Sequence, residues 1–94
     1  MVLVIVSFRC AETEKIFNEK HSRKFSPIQR VAFRKLMMLH AAQVLGDLAG
    51  VSNSLEALTG ERRGQYAIRV TIRYRLCFVW SEGNASNVEI VDYH

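Results

Sequence analysis

The chain has 94 residues, 49% of them hydrophobic, 23% charged and one of them proline, which excludes a disordered tail or two domains and predicts one domain over residues 1–94. Thirteen Lys and Arg against nine Asp and Glu give a net charge of +4, and Cys10 and Cys77 are too few and too far apart for a disulfide framework or a paired-cysteine zinc site. A domain this small buries only a little over ~60% of its unfolded surface, so any site is expected to be a shallow groove.

The opening run Met1-Val-Leu-Val-Ile-Val6 has no basic flank or cleavage site and is much shorter than the ~20 residues of a membrane helix. It predicts a strand in a cytoplasmic protein with no membrane partner. Being apolar at both parities, it is expected to be covered on both faces. Residues 11–20 place Ile16 and Phe17 among charged residues, the pattern of a short helix with one apolar edge. A polar link from Lys20 to Lys24 follows. The second helix is predicted from Ser26 as N-cap, Pro27 at the first helical position and Gln29 closing an S-x-x-Q capping box, and it runs to about residue 43. Ile28, Ala32, Leu36 and Leu39 share one face, with Arg30, Arg34 and Lys35 largely away from it. Met37 and Met38 are expected to fill the core, and His40 to complement the helix C-terminus.

Residues 44–52, with two glycines, read as an irregular turn or short helix. Beyond them the period changes. Residues 54–58, 65–70, 75–80 and 87–91 are short runs rich in β-branched and aromatic residues, punctuated by Thr59-Gly60 and Glu82-Gly83-Asn84. Their short connections favour antiparallel hairpins. The expected fold class is α+β: two N-terminal helices packed on a twisted, mainly antiparallel sheet, in the order β-α-α-β-β-β-β.

Between Glu61 and Glu82 stand five arginines (Arg62, Arg63, Arg69, Arg73 and Arg75) and no carboxylate, interleaved with Tyr66, Tyr74 and Trp80. Two readings stand side by side. Guanidinium forks bind phosphate oxygens and aromatic faces stack on bases, which suits RNA or another single strand; the same arginines also suit a solvated strand face. His21, His40 and His94 lie apart and form no HExxH or comparable spacing, so no metal and no cofactor are expected. Ser22 and Ser26 have no nucleophile context.

Leu55-Glu56-Ala57-Leu58-Thr59-Gly60-Glu61-Arg62, Gly64-Gln65, Tyr74-Arg75-Leu76-Cys77-Phe78 and the closing Val88-Glu89-Ile90-Val91-Asp92-Tyr93-His94 follow one another in an order that resembles the HigB toxins, a branch of the RelE/ParE superfamily. With Ser7-Phe8 and the two helices, the resemblance covers nearly the whole chain, and the terminal Asp-Tyr-His is its most specific element. It implies a RelE/ParE-like fold and a toxin of a type II toxin-antitoxin system, a ribosome-dependent endoribonuclease that cuts translated mRNA in the A site of the 70S ribosome without a metal. The implied partners are mRNA, ribosomal RNA and a helix-turn-helix antitoxin of the HigA kind, with operator DNA reached only through the antitoxin complex. The sequence departs from the pattern at Glu56, where some members carry histidine, at Thr59, where some carry lysine, at Ser54, where others carry arginine, and at Tyr74, where tryptophan is usual. Two alternatives share the fold: a ParE-like gyrase poison, and an inactive homologue that only binds antitoxin and takes part in operator regulation.

Metal-free cleavage of RNA proceeds by attack of a ribose 2′-OH on its own adjacent phosphate, so an enzyme takes one proton, stabilises equatorial negative charge and returns a proton to the 5′ oxygen. The resemblance makes His94 the general acid, Tyr93 a stacking or phosphate-binding group, and Asp92 an orienting group for Arg75 or the imidazole. It makes Arg75 the transition-state cation. Glu56 is a candidate base or a salt-bridge partner. Arg62, Arg63, Arg69, Arg73 and Tyr74 are the candidate RNA-binding residues, with surface solubility as the competing role of Arg62 and Arg63. Strand alternation puts Asp92 and His94 on one face and Tyr93 on the other, so convergence of all three requires a bend in the tail.

Overall fold

The computed structural model describes residues 4–50 and 52–93. Two helices, α1 (Ala11–Phe17) and α2 (Gln29–Ala41), precede four strands, β1 (Glu56–Ala57), β2 (Gln65–Arg69), β3 (Tyr74–Ser81) and β4 (Asn84–Asp92). The strands form one sheet in the order β1-β2-β3-β4, with every neighbouring pair antiparallel. This is the α+β arrangement expected from the sequence. The β3–β4 hairpin closes through Glu82 and Gly83, both at positive φ (52° and 79°), a turn whose twist matches that of its strands.

Residues 4–9 run parallel to β4 on the edge away from β1. Ala85 and Val88 donate to the Val4 and Ser7 carbonyls, and Val6 and Arg9 donate back to Ala85 and Val88. The predicted first strand is therefore a short edge ribbon, with Ile5 and Phe8 bridged to Ala85 and Val88; Met1 to Leu3 lie outside the described residues. Val4 and Ile5 are buried but Val6 is 56% exposed, so the expectation that both faces are covered fails at Val6. Beyond Val88 the ribbon no longer reaches β4, and the buried Thr13 of α1 accepts the Ile90 amide at 3.0 Å. A helix side chain thus satisfies an edge donor that would otherwise be stranded.

Both helices pack on one face of the sheet. Ile16, Ala32, Leu36 and Leu39 meet Ile68, Leu76, Phe78, Val88 and Ile90 in one buried core, the stripe expected of α2. Four expectations for α2 change. It opens with a 3-10 turn, Ser26–Ile28, and Ser26 caps nothing; instead Ser22 Oγ accepts from Phe25, and Gln29 accepts from the Ser22 amide while donating to the Lys20 carbonyl. Lys35 is buried rather than solvent-facing, its Nζ donating to Asn53 Oδ1 at 2.6 Å and to the Ser52 carbonyl. His40 accepts the Ile5 amide at Nδ1 (3.3 Å) and meets Phe17 edge-on, so it ties the edge ribbon to α2. Met38 is exposed, not core. The 44–52 connection contains the predicted short helix, a 3-10 turn at Leu45–Leu48 in which the Asp47 carboxylate accepts from the Gln43 and Val44 amides.

Candidate active site

Side chains alternate across a strand, so the registers assign every residue to a face. Tyr66 faces Phe78, Ile68 faces Leu76 and Tyr74 faces Asp92; these point toward the helical layer with Trp80. Ala67 pairs with Cys77, Arg69 with Arg75, Cys77 with Glu89 and Arg75 with Val91, and these point away from the helices. Glu56 joins them through its pairing with Ala67. The predicted interleaving of arginines with aromatic platforms is thereby undone. Tyr66, Tyr74 and Trp80 pack on the core, Tyr74 edge-on to Phe25 and Trp80 edge-on to Phe78, whereas Arg69 and Arg75 occupy the opposite face.

The face assignments in β4 depend on one irregularity. Cys77 pairs with Glu89 but Val79 pairs with Ser86, so Phe78 opposes both Asn87 and Val88. The extra residue is a bulge at Asn87, whose φ is 52° and whose amide donates to Ser7 Oγ at 2.9 Å. Downstream of it the odd positions Glu89 and Val91 face away from the helices, and Tyr93 follows on that side.

There Tyr93 lies against Arg75, the guanidinium carbon 5.1 Å from the ring centre. Arg75 Nη1 is held by the Thr71 carbonyl at 2.9 Å. The Tyr93 phenol is pushed above its ordinary value, first by desolvation, then by the Glu56 carboxylate beside it and their hydrogen bond, with Arg75 opposing. Glu56, Tyr93 and Arg75 thus converge from three different strands or their ends. Beneath them Leu58, Ala67 and Cys77 form a small buried floor with Val91 against it. Burial pushes the Cys77 thiol up, which keeps it an inert packing group.

Further along the same face, Glu89 has only 15% of its side chain exposed and takes two guanidiniums on one oxygen: Arg62 Nη1 at 3.1 Å and Arg9 Nη1 at 3.8 Å. Arg62 Nη1 also donates to Gln65. Nothing in the sequence pattern singled out Arg9 or Glu89. Arg9 lies outside the arginine run, and Glu89 reads in isolation as one polar position of an alternating strand.

The remaining candidates are dispersed. Asp92 turns toward the helical side and forms a forked ion pair with Arg73, Nη2 to Oδ2 at 2.7 Å and Nε to both oxygens at 3.1 Å. It therefore does not orient Arg75, and it holds Arg73 above its ordinary value. The Arg73 guanidinium also lies 5.3 Å from the Tyr74 ring centre. Arg63 and Arg69 are exposed, Arg63 beside the 3-10 turn Gly60–Arg62. His94 lies outside the described residues. The candidate residues Glu56, Arg75, Glu89 and Tyr93 lie on an open sheet face. A concavity lined by Val4, His40, Gln43 and Glu82 to Asn84 sits at another end of the molecule.

Residues 6–94 match the model of a family described as the HigB-like, RelE-like toxins of type II toxin-antitoxin systems. Toxin HigB-1 of Vibrio cholerae serotype O1 is 41% identical over 71 residues, covering 74% of this chain and 75% of that protein. Among solved structures, the YoeB dimer of Staphylococcus aureus aligns over 98% of this chain and 97% of its own with a TM-score of 0.53 and 19% identity, a likeness of fold. Among the described residues no helix is long and apolar enough to cross a membrane.

Proposed function

The chain belongs to the HigB-like family, RelE-like toxins of type II toxin-antitoxin systems whose role is ribosome-dependent RNA cleavage, and from that premise we propose that it cuts translated mRNA without a metal, at the sheet face turned away from its helices. Such a toxin has an antitoxin partner; here we take that partner to be a helix-turn-helix protein of the HigA kind, with operator DNA bound only through the complex. The working compartment is the cytoplasm and the working platform the ribosomal A site, where message and ribosomal RNA are both at hand.

The observation that carries this reading is the convergence of Glu56, Tyr93 and Arg75 on one face. Attack of the 2′-OH on its phosphate requires loss of the hydroxyl proton, and in this reading the Glu56 carboxylate takes it. Arg75 offers guanidinium donors to the equatorial oxygens as negative charge grows there. Because the Thr71 carbonyl and the Tyr93 ring already fix its position, little reorganisation is needed in the transition state. Tyr93 stays neutral at physiological pH, its phenol on Glu56 and its ring available to a base. His94, next in sequence, supplies the proton for the departing 5′ oxygen, the step for which an imidazole is suited near neutral pH. Asp92 supports this tail indirectly, by clamping Arg73.

The test is to induce the chain in cells and map 5′ ends of messenger RNA with and without translation. Codon-phased ends that vanish when translation is blocked support the reading. Intact transcripts accompanied by gyrase-dependent DNA breaks would replace it with topoisomerase poisoning. His94→Ala should relieve growth arrest by lowering cleavage on the order of 10²-fold or more, while antitoxin binding persists; antitoxin binding by a wild type that causes no growth arrest when induced alone would leave a purely regulatory homologue.

A further inference from the structure

Arg9 and Arg62 lie far apart in the chain, one in the edge ribbon and one in the 3-10 turn before β2, yet both reach Oε2 of Glu89. Two guanidiniums brought to one carboxylate oxygen leave a local charge of +1. Arg62 spends Nη1 on both Glu89 and Gln65, while its Nε and Nη2 donate to nothing among the described residues. Arg9 has 62% of its side chain exposed and, among the described residues, this single ion pair. Unspent donors of two forks, fixed side by side over an open face, make a receptor for a tetrahedral oxyanion.

We propose that Arg9 and Arg62, held together by Glu89, form a binding site for an RNA backbone phosphate other than the scissile one. The inference rests on the cleavage reading for its biological ligand. Glu89 and Tyr93 are four residues apart along β4, about 13 Å by strand rise, and the Arg75 guanidinium is turned to the Tyr93 end, onto the Tyr93 ring and the Thr71 carbonyl, so the pair meets a phosphate other than the one under attack at Arg75. Its task is to hold the strand beyond the cut. Glu89 is a positioning residue: without it the two cations repel and splay apart, and the preformed fork pair is lost.

The probe is a short single-stranded RNA with 2′-O-methyl groups at every position, which binds without being cut, titrated against the full chain over a salt series. A second arm uses message-free ribosomes. Arg9→Ala and Arg62→Ala should each weaken binding on the order of 10-fold, about 1.4 kcal/mol, and each should reduce the salt slope by ~0.7, one phosphate contact on a single strand. Their double variant should lose less than the product of the two. Arg30→Ala, on the helical side, should change neither quantity. Glu89→Gln raises the net charge by one and yet should weaken binding. A loss with the oligonucleotide assigns the phosphate to the message; a loss only with ribosomes assigns it to ribosomal RNA. Arg9→Ala and Arg62→Ala behaving like Arg30→Ala in both arms, or tighter binding by Glu89→Gln, would overturn the proposal. If the wild type binds but leaves translated message intact, the cleavage reading fails and the phosphate site stands. If it cuts in codon phase with Arg9 and Arg62 inert, the reverse holds.

Discussion

Arg75 and Glu56 meet the same phenol but have different chemical duties, and substitution should separate them. Arg75→Lys keeps a charge but loses the fork and the flat contact with the Tyr93 ring, so cleavage on programmed ribosomes should fall on the order of 10²-fold at nearly unchanged half-saturation. Glu56→Gln should lower the same single-turnover rate while leaving the melting temperature unchanged, which a loss of folding would not do. Tyr93 itself makes a prediction about base. Its neutral form is favoured by the fold, so this contribution to stability is fully present below the ordinary phenol value of 10.0 and fades as pH rises through the higher folded value. In a spectrophotometric titration, one tyrosine should ionise late, and Tyr93→Phe should abolish that late step alone. A late step that survives Tyr93→Phe would belong to another phenol and remove the assignment.

Secondary elements depend on contacts that cross between layers, and these contacts separate what the sequence discloses from what it conceals. Thr13→Val keeps the shape of the side chain but strands the buried Ile90 amide, and should cost about 1–3 kcal/mol in denaturant unfolding; a neutral result would mean that the amide finds another partner. The strands were legible because each is a short run rich in β-branched and aromatic residues bounded by turn residues, and the parity was legible too. Tyr66, Tyr74 and Trp80 are even-numbered and Arg69 and Arg75 odd, so the separation of rings from cations was written in the chain. Interleaving along the sequence concealed it. The capping of α2 was misread because Gln29 bonds backward to Lys20 and Ser22, contacts set by how the preceding loop folds rather than by the four-residue motif. The pairing of Glu89 with Arg9 joins residues 80 positions apart, and no local pattern encodes such a meeting.

At the scale of the molecule, two faces of one sheet have opposite assignments: one is sealed by helices, the other left bare with its charges arranged. Lys35 and Asn53 brace the corner where these regimes meet. Lys35 reaches from α2 to Asn53, whose side chain donates to the Leu48 carbonyl and whose own carbonyl accepts from the Arg69 amide. Burial holds the Lys35 ammonium below its ordinary value, so the lysine is retained at a desolvation cost. Lys35→Met should destabilise by about 1–3 kcal/mol because Asn53 Oδ1 loses its donor. Adding Asn53→Leu should recover part of that loss only if the two residues act as one unit; additive melting shifts would show that they do not. That the family match spans both layers, residues 6–94, fits a domain in which neither face stands without the other.

The bulge at Asn87 has a genetic consequence. Phe78 opposes both Asn87 and Val88, so removing the Asn87 codon leaves Val88 opposite Phe78 and Glu89 opposite Cys77, and every later side chain keeps its face. Removing the Val91 codon instead slips the tail by one residue, which puts Asp92 where Val91 now points and turns Tyr93 toward the helices. Such a deletion alters no residue at the proposed site, yet it is expected to disarm the toxin as thoroughly as a substitution at Arg75. Among spontaneous survivors of induction, in-frame losses at codon 91 should therefore appear alongside the missense changes and outnumber losses at codon 87. The harmful activity of the chain would hang on the length of its last strand as much as on its chemistry.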